Sequence, residues 1–190
     1  MYKILICSDS PFVESGYGVQ CYNLMLGFLE MGHEIFFIPA NMCNIKNNNQ
    51  YYLLKNIKSY IEIPKSDYYN KILKYEDKIN WIPNNKSDMG ISSMFKFLET
   101  NKVNFIIFLK DIWLIPRDLK FPDNFVLWLP IDHEPMCDKL WDIIKNIPNI
   151  VTLSEYGQKE LMSRGKKNEY IYHSIVHQKT KFEESKYKDY

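Results

Sequence analysis

The stretch that decides the fold is residues 3–39, KILICSDSPFVESGYGVQCYNLMLGFLEMGHEIFFIP. The apolar run 3–7 is typical of a buried parallel strand, and 33–39 is a second run of the same kind. Between them lie a loop with two glycines, 8–18, and a largely apolar segment, 19–31, whose few polar residues recur at three- and four-residue steps and predict a helix buried on most sides. Strand, loop, helix and strand in this order predict one βαβ unit.

The rest of the chain continues this alternation, apart from a weak region between residues 40 and 80. The predicted helices there and beyond are an irregular one over 51–60 and regular ones over 91–101, 111–119, 138–146 and 154–164. The predicted strands are 61–64, 79–83, 103–109, 125–129, 149–153 and 170–173. Continuous apolar strands that alternate with helices indicate an α/β fold, with a doubly wound, mostly parallel sheet and helices on both faces.

Composition excludes several classes of protein. The 190 residues carry 24 Lys and Arg against 23 Asp and Glu, so the net charge of +1 gives no basic surface for coating a nucleic acid. No apolar run approaches the roughly 18–20 residues of a membrane span. The N-terminus becomes polar too soon for a signal peptide, so a cytoplasmic protein without a transmembrane segment is expected.

The four cysteines, Cys7, Cys21, Cys43 and Cys137, show neither a CxxC pair nor zinc-ligand spacing. They predict reduced, mostly buried thiols and no metal site.

In a doubly wound sheet, ligands bind outside the carboxyl ends of the strands. After the first strand comes Ser15-Gly16-Tyr17-Gly18, which leads into a helix. Glycines let backbone N–H groups approach an anion, and the helix start adds partial positive charge. The spacing is not GxGxxG, and no acidic residue follows the second strand, so a nicotinamide dinucleotide site is disfavoured. Phosphate contact and a merely flexible loop both remain open.

Ionisable side chains also follow the strand 125–129, where Asp132, His133 and Glu134 stand in a row. An Asp–His pair can position and deprotonate a hydroxyl, since His titrates near neutral pH. The alternative is that Asp132 caps a turn while the others face solvent. After 149–153, Ser154 predicts a helix N-cap, and Gly157 allows close approach of a ligand or a facing loop.

Five segments together resemble the N-terminal Rossmann-like domain of a GT-B glycosyltransferase of the retaining family 4 type. They are 4–20 with the glycine loop, MGHEI (31–35), LPIDHEP (129–135), VTLSEYG (151–157) and YIYHSIV (170–176). The chain departs from the family pattern at His133, where glycine is commoner, at Tyr172 in place of proline, and at Ser174 in place of the linker glycine.

The resemblance implies transfer of a sugar from a nucleotide diphosphate sugar to an acceptor hydroxyl, with retention of configuration and with no cofactor or metal required. It makes Asp132 the group that orients or deprotonates the acceptor, with His133 as the alternate. The donor diphosphate would lie on the loop of Gly16, Tyr17 and Gly18. The candidates for the acceptor site are Asp9, Trp113, Glu134, Ser154, Glu155 and Tyr156.

The resemblance also divides the chain. Residues 1–176 correspond to the acceptor-side domain, and 177–190 to a linker or frayed tail. The second Rossmann domain, which holds most of the nucleotide-sugar site in this family, is expected in cis or from a partner chain. The acceptor would be a glycan, lipid or protein, and a peripheral position at a membrane stays open. The alternatives are a non-catalytic binding or scaffold module, and a small enzyme completed by dimerisation.

Overall fold

A computed structural model describes residues 1–41, 51–84, 87–112 and 115–173, which form one sheet flanked by helices. The strands are β1 (Lys3–Ser8), β2 (Glu34–Pro39), β3 (Tyr52–Leu53), β4 (Ile79–Trp81), β5 (Phe105–Leu109), β6 (Phe125–Leu129), β7 (Asn149–Thr152) and β8 (Glu169–Tyr170). The helices are α1 (Gly16–Glu30), α2 (Leu54–Ile57), α3 (Asp67–Leu73), α4 (Ile91–Leu98), α5 (Asp138–Ile144) and α6 (Glu155–Ser163).

The sheet has the order β3-β4-β2-β1-β5-β6-β7-β8. All neighbouring strands are parallel except β3 and β4, which are antiparallel. From β1 the chain winds to β2 and β4 on one side, and then crosses back to β5, β6, β7 and β8 on the other. The prediction of a doubly wound, mostly parallel α/β fold is confirmed, and the winding reverses between β1 and β5.

Both faces of the sheet are buried, as continuous apolar strands require. In β1, Leu5 and Cys7 pack in one apolar cluster with residues of α4, α5 and α6. Ile4 and Ile6 point to the opposite face and pack in a second cluster with residues of α1, α2 and α3. Because successive side chains of a strand alternate between faces, one short strand anchors both layers.

The first βαβ unit differs from the prediction at the start of its helix. The helix begins at Gly16 rather than Val19, because Ser15 is an N-cap whose Oγ accepts a hydrogen bond from the Gly18 N–H at 3.0 Å. The glycines therefore lie in the first turn of α1 and not in the loop. Gly32, with φ 85°, follows the helix end as predicted.

The weak region differs most from the sequence expectation. Residues 51–60 form β3, α2 and a short 3₁₀ turn (Lys58–Tyr60) instead of one irregular helix. The expected strand at 61–64 is absent, whereas 79–83 does contain β4. Sequence analysis missed α3, which Ser66 caps by accepting from the Tyr68 N–H.

Beyond residue 90, most helix and strand boundaries agree with the sequence prediction to within a few residues. The expected helix over 111–119 is wrong for its described residues, 111–112 and 115–119, which are turn and coil. The last predicted strand, 170–173, shrinks to β8, which ends at Tyr170. Ser154 is the N-cap of α6, and Gly165 has the positive φ, 79°, of a residue just past a helix end. The tail, 177–190, lies outside the described residues.

Among the described residues, no helix has the length and apolar character needed to cross a membrane. Of the cysteines in the described ranges, Cys7 and Cys21 are buried as predicted, but Cys137 is exposed. The expectation of mostly buried thiols is met by two of these three cysteines, and the exposure of Cys137 is the exception. It arises because Cys137 lies in the surface loop between β6 and α5 rather than inside an element.

Candidate functional site

The reversal of winding between β1 and β5 leaves a crevice at the carboxyl ends of these strands, where doubly wound folds bind ligands. The loop after β1 and the residues after β5 line it. We call this place the switch-point crevice and define it by Asp9, Ser15, Tyr17, Lys110 and Asp111. The adjacent strand β6 continues into residues 130–137, which we call the β6 loop.

The polar groups of the switch-point crevice are paired with one another. Lys110 Nζ lies 2.5 Å from Asp9 Oδ1, and both side chains are largely buried, with 14% and 10% exposed. Ser15 Oγ donates to the other carboxylate oxygen of Asp9 at 2.8 Å. The Tyr17 hydroxyl donates to Asp111 Oδ1 at 2.7 Å, and Lys110 lies over the Tyr17 ring at 5.0 Å. Asp9, a predicted acceptor group, is therefore engaged inside the protein.

The glycines of the first turn of α1 have different surroundings. A Cβ on Gly16 would meet nothing within 4 Å. A Cβ on Gly18 would lie 2.1 Å from the carbonyl oxygen of Val13 and 2.9 Å from that of Ser10. Gly18 is thus required for the turn at 10–13 to lie against the helix, and its N–H is already bound by Ser15. Open space for a ligand exists at Gly16.

Tyr17 connects the crevice to the β6 loop. Partial burial raises the pKa of Tyr17, and the hydrogen bond to Asp111 adds to that rise. The negative charges of Asp9 and Asp132 raise the same pKa further, so Asp132 lies within electrostatic range of the Tyr17 hydroxyl. Because β1, β5 and β6 are parallel neighbours in one sheet, the predicted donor loop and the predicted catalytic carboxylate both follow strands at its carboxyl edge.

The β6 loop presents its acidic group to solvent. The Asp132 side chain is 86% exposed, and its Oδ1 lies 2.8 Å from His133 Nδ1. This hydrogen bond lowers the pKa of Asp132 and raises the pKa of His133. His133 Nε2 lies 3.3 Å from the backbone nitrogen of Cys137, which donates to it when the ring is neutral. The imidazole therefore bridges Asp132 and Cys137.

Helix α6 holds the β6 loop in place. Glu160 Oε1 accepts a hydrogen bond from the Met136 N–H at 2.7 Å, in a buried position. Arg164 donates to the Met136 carbonyl and, at 3.0 Å, to Asp138 Oδ1. Glu160 of α6 and Arg164, the residue that follows α6, thus bind the residues on both sides of Cys137. These bonds hold the loop that contains the hydrogen bond from the Cys137 N–H to His133.

The predicted residues at the start of α6 serve mainly the fold. Ser154 Oγ accepts from the Gly157 N–H at 3.1 Å, and Glu155 pairs with Lys159 at 2.8 Å on the helix surface. A Cβ on Gly157 would lie 3.1 Å from Thr152 Cβ and 3.3 Å from Ile131 Cβ. The space that Gly157 leaves is therefore filled by the end of β7 and the β6 loop.

Tyr156 and Glu134 lie near the Asp132 carboxylate. Tyr156 is 41% exposed, and partial burial together with the charges of Glu134, Glu160 and Asp132 raises its pKa. Glu134 is exposed. Asp132 and Glu134 thus form an exposed acidic surface, and the Tyr156 side chain lies near it.

Sequence analysis missed Lys110, Asp111 and Cys137. Lys110 and Asp111 follow the apolar strand β5 directly, so the rule that selected Asp132 after β6 also applies to them. No sequence signal connects Cys137 to His133, because a separation of four residues brings side chains together only in a particular loop or helix conformation. Trp113 lies outside the described residues.

A separate groove lies elsewhere on the fold. A groove of about 400 Å³ lies between α4 and residues 116–119, lined in part by Asp88, Ser92 and Lys96. It contains none of the predicted site residues. In the described ranges, no group of three or more His, Cys, Asp or Glu side chains is arranged to hold a metal ion.

The sequence was compared with known protein families and with curated proteins. No family model matches it, and no curated protein matches it. The fold and the site define the class as an α/β protein with a switch-point crevice and an exposed Asp–His pair beside it.

Proposed function

We propose that this chain is the acceptor-side half of a retaining glycosyltransferase, which transfers a sugar from a nucleotide diphosphate sugar to an acceptor hydroxyl. The observation that carries the proposal is the exposed Asp132–His133 pair at the carboxyl end of β6, within electrostatic range of Tyr17 in the first turn of α1. The motif resemblance to family 4 supports it, because the glycine loop and the LPIDHEP segment follow parallel strands, β1 and β6, of the same sheet.

In this proposal Asp132 acts on the acceptor. One carboxylate oxygen is bound by His133 Nδ1, and the other is available for the hydrogen bond of an acceptor hydroxyl. The acceptor hydroxyl oxygen forms a bond to the anomeric carbon of the sugar, and its proton passes to the carboxylate. The bond from the anomeric carbon to the phosphate oxygen breaks, and the nucleoside diphosphate leaves with that electron pair. Asp132 is ionised at neutral pH, and its hydrogen bond to His133 lowers its pKa further. His133, with its raised pKa, is the alternate proton acceptor.

The donor phosphates would lie at the start of α1. The open space at Gly16 and the N–H groups of Gly16 and Tyr17 suit an oxyanion, since the Gly18 N–H is bound by Ser15. The cation in the crevice, Lys110, is neutralised by Asp9. Further positive charge for a diphosphate would come from the second domain, in cis or from a partner chain.

The test is a transfer assay on the native gene product, purified together with any chain that accompanies it. Donors are UDP-glucose, UDP-N-acetylglucosamine and GDP-mannose, and acceptors are a panel of glycans and glycolipids. Asp132→Asn should lower transfer by about 10²- to 10⁴-fold, the usual contribution of a positioned acid or base. The matched control is Asp123→Asn, at the exposed opposite end of β6, which should keep the parent rate.

Three results would contradict the proposal. Transfer by Asp132→Asn at the parent rate removes the catalytic role of this carboxylate. A native product that contains both domains and releases no nucleoside diphosphate from any donor favours the alternative of a non-catalytic binding module. A product whose anomeric configuration differs from that of the donor would overturn retention.

A further inference from the structure

Two polar groups beside the switch-point crevice keep hydrogen-bonding capacity that the fold does not use. The first is the carboxylate of Asp111, which follows β5. One of its oxygens accepts from the Tyr17 hydroxyl at 2.7 Å, and the other accepts no hydrogen bond within the described part of the chain. The neighbouring cation, Lys110, is paired with Asp9 at 2.5 Å. Asp111 therefore keeps a free acceptor oxygen and a negative charge that no cation neutralises.

The second group is the indole of Trp128, on β6. Trp128 is only 8% exposed, and its Nε1–H, a hydrogen-bond donor, has no acceptor among the described residues. The ring of His173 lies against the indole, with the centroids 5.7 Å apart and the planes at 85°, and its Nε2 is also buried without a described partner. Since buried polar groups are nearly always paired in folded proteins, these nitrogen atoms indicate a polar partner from outside the described residues.

Trp128 and Asp111 lie at the same edge and on the same side of the sheet. Trp128 is the register partner of Leu109, the last residue of β5, two residues before Asp111. The residues on either side of Trp128 pack with α4, α5 and α6, so its own side chain points to the face that carries α1. Asp111 is bound from that face, because Tyr17 belongs to α1. The unpaired donor and the free acceptor therefore adjoin the switch-point crevice from its α1 side.

These two groups define the chemical class of a ligand. The free oxygen of Asp111 needs a hydrogen-bond donor, and the indole N–H of Trp128 needs an acceptor. A hydroxyl group is both a donor and an acceptor. A phosphate supplies acceptors but is repelled by the charge of Asp111, and an ammonium group supplies donors but no acceptor for Trp128. The combination fits a neutral compound with several hydroxyl groups.

We propose that the switch-point crevice binds a neutral sugar ring, whose hydroxyl groups donate to Asp111 and accept from Trp128. Asp111 is then the specificity residue that admits hydroxyl groups and rejects anions. The indole nitrogen is enclosed in the free protein, so the sugar reaches it only when a neighbour such as His173 moves aside. That this sugar carries the acceptor hydroxyl rests on the proposed function, whereas its binding does not.

The test measures sugar binding by the native gene product without any nucleotide sugar. The probes are the methyl glycosides of glucose, galactose, mannose and N-acetylglucosamine at millimolar concentration. The readout is the indole N–H resonance of Trp128 in NMR, assigned by its loss in Trp128→Phe or, if that variant does not fold, by through-bond correlation to the Trp128 backbone. We expect at least one glycoside to shift this resonance. Inorganic pyrophosphate, the anionic comparison, should leave it in place.

Asp111→Ala tests the acceptor oxygen. The dissociation constant of the glycoside that shifts the resonance should rise by about 10- to 100-fold, as expected for the loss of a hydrogen bond to a charged group. Asp118→Ala, which removes an exposed carboxylate from the same connection between β5 and β6, is the matched control and should keep the parent value. If Asp111→Ala does not fold, as judged by circular dichroism, Asp111→Asn takes its place and should weaken binding in the same direction.

Deoxy analogues of that glycoside separate recognition from a structural role of Asp111. In the parent chain, loss of the hydroxyl that binds Asp111 should weaken binding, because the carboxylate is left without its partner. In Asp111→Ala, the same analogue should bind as well as the complete sugar. A structural role would instead weaken the binding of every analogue by the same factor, and that result would contradict the assignment of Asp111.

Three further outcomes would overturn the proposal. In the first, neither the glycosides nor pyrophosphate shifts the Trp128 resonance, so that a trapped water is the partner of the indole. In the second, pyrophosphate shifts it and the glycosides do not, which makes the crevice an anion site. In the third, Asp111→Ala binds the glycoside as tightly as the parent chain. Sugar binding as expected in a protein that transfers no sugar would count against the proposed function alone.

Discussion

The switch-point crevice and the β6 loop lie side by side at one edge of the sheet, yet they hold their charges in opposite ways. In the crevice, Lys110 and Asp9 are largely buried and paired at 2.5 Å. In the β6 loop, Asp132 is 86% exposed and is bound by a neighbour in the chain, His133. The polar groups around the glycine loop, which resembles a ligand-binding motif, thus bind one another. The exposed carboxylate of Asp132 lies in the neighbouring β6 loop.

The difference has a physical basis. A buried charge must be paired, because desolvation costs more than the fold can tolerate for an isolated ion. An exposed pair contributes little to stability, since water competes for both partners. Groups of an exposed pair can therefore exchange their partner for a substrate at a small cost in free energy. Substitutions in the crevice should therefore change the free energy of unfolding, whereas substitutions in the β6 loop should change the reactivity of its side chains.

The largest effect is expected from Lys110→Met. The change leaves the Asp9 carboxylate buried without its cation, and breaking a buried pair in this way costs about 3–5 kcal/mol of unfolding free energy. Urea denaturation measures it. The double variant Asp9→Asn, Lys110→Met should recover part of the loss, because no uncompensated charge remains. Lys145→Met, which breaks the exposed pair with Asp142, is the control and should leave the midpoint unchanged. A loss for Lys110→Met no larger than that of the control would show that the buried pair does not form in solution.

The next effect distinguishes the two glycines of α1. Gly18→Ala places a Cβ against the Val13 carbonyl, and such overpacking costs about 1–3 kcal/mol. Gly16→Ala meets open space and should change stability by less than about 0.5 kcal/mol, as a surface substitution does. Thermal unfolding of both variants makes the comparison. Equal midpoints would contradict the close packing of the turn at 10–13 against α1.

The smallest effect concerns the Asp132–His133 pair. The hydrogen bond raises the pKa of His133, so Asp132→Asn should lower it, as followed by the ring proton resonances in NMR. The stabilisation from His133 is present below its unfolded pKa and is lost as the pH rises through the raised folded value. That from Asp132 is present above its unfolded pKa and is lost as the pH falls through the lowered folded value. The pair therefore contributes most between about pH 4 and about pH 6.5.

Because both groups are exposed, the change in unfolding midpoint should be too small to measure, and the titration followed by NMR is the readout. Asp142→Asn, another exposed carboxylate, is the matched control and should leave the pKa of His133 unchanged. An unchanged titration of His133 in Asp132→Asn would mean that the hydrogen bond is absent in solution.

The sequence predicted those parts of the fold whose signals are local. Residues 3–7, 125–129 and 149–153 are apolar runs between polar residues, and each contains a strand. Ser154 begins α6 as its N-cap, and Gly165, with a positive φ, follows its end, as the sequence predicts. Residues 51–73 were mispredicted because Tyr and Lys fit several conformations. There, packing decides: Leu54, Ile57 and Tyr69 are buried in the cluster under α1.

The candidate site was predictable to the same extent. Asp132 and His133 follow a strand that a sequence can reveal, and the rule about strand ends places them at a ligand-binding edge. The burial of Asp9 could not be foreseen, because its partner Lys110 follows β5, far along the chain. The same holds for Gly18, because the sequence does not show that the carbonyls of Ser10 and Val13 lie against it.

By itself, the sequence determined the α/β class, the parallel strands and the row of ionisable groups after β6, because hydrophobic periodicity and turn residues act over short distances along the chain. Only the tertiary structure decided which charges are engaged inside the protein and which remain available. That choice depends on burial and on partners distant in sequence: Lys110 neutralises Asp9, while Glu160 of α6 binds the backbone of Met136 in the β6 loop, in which Asp132 stays exposed.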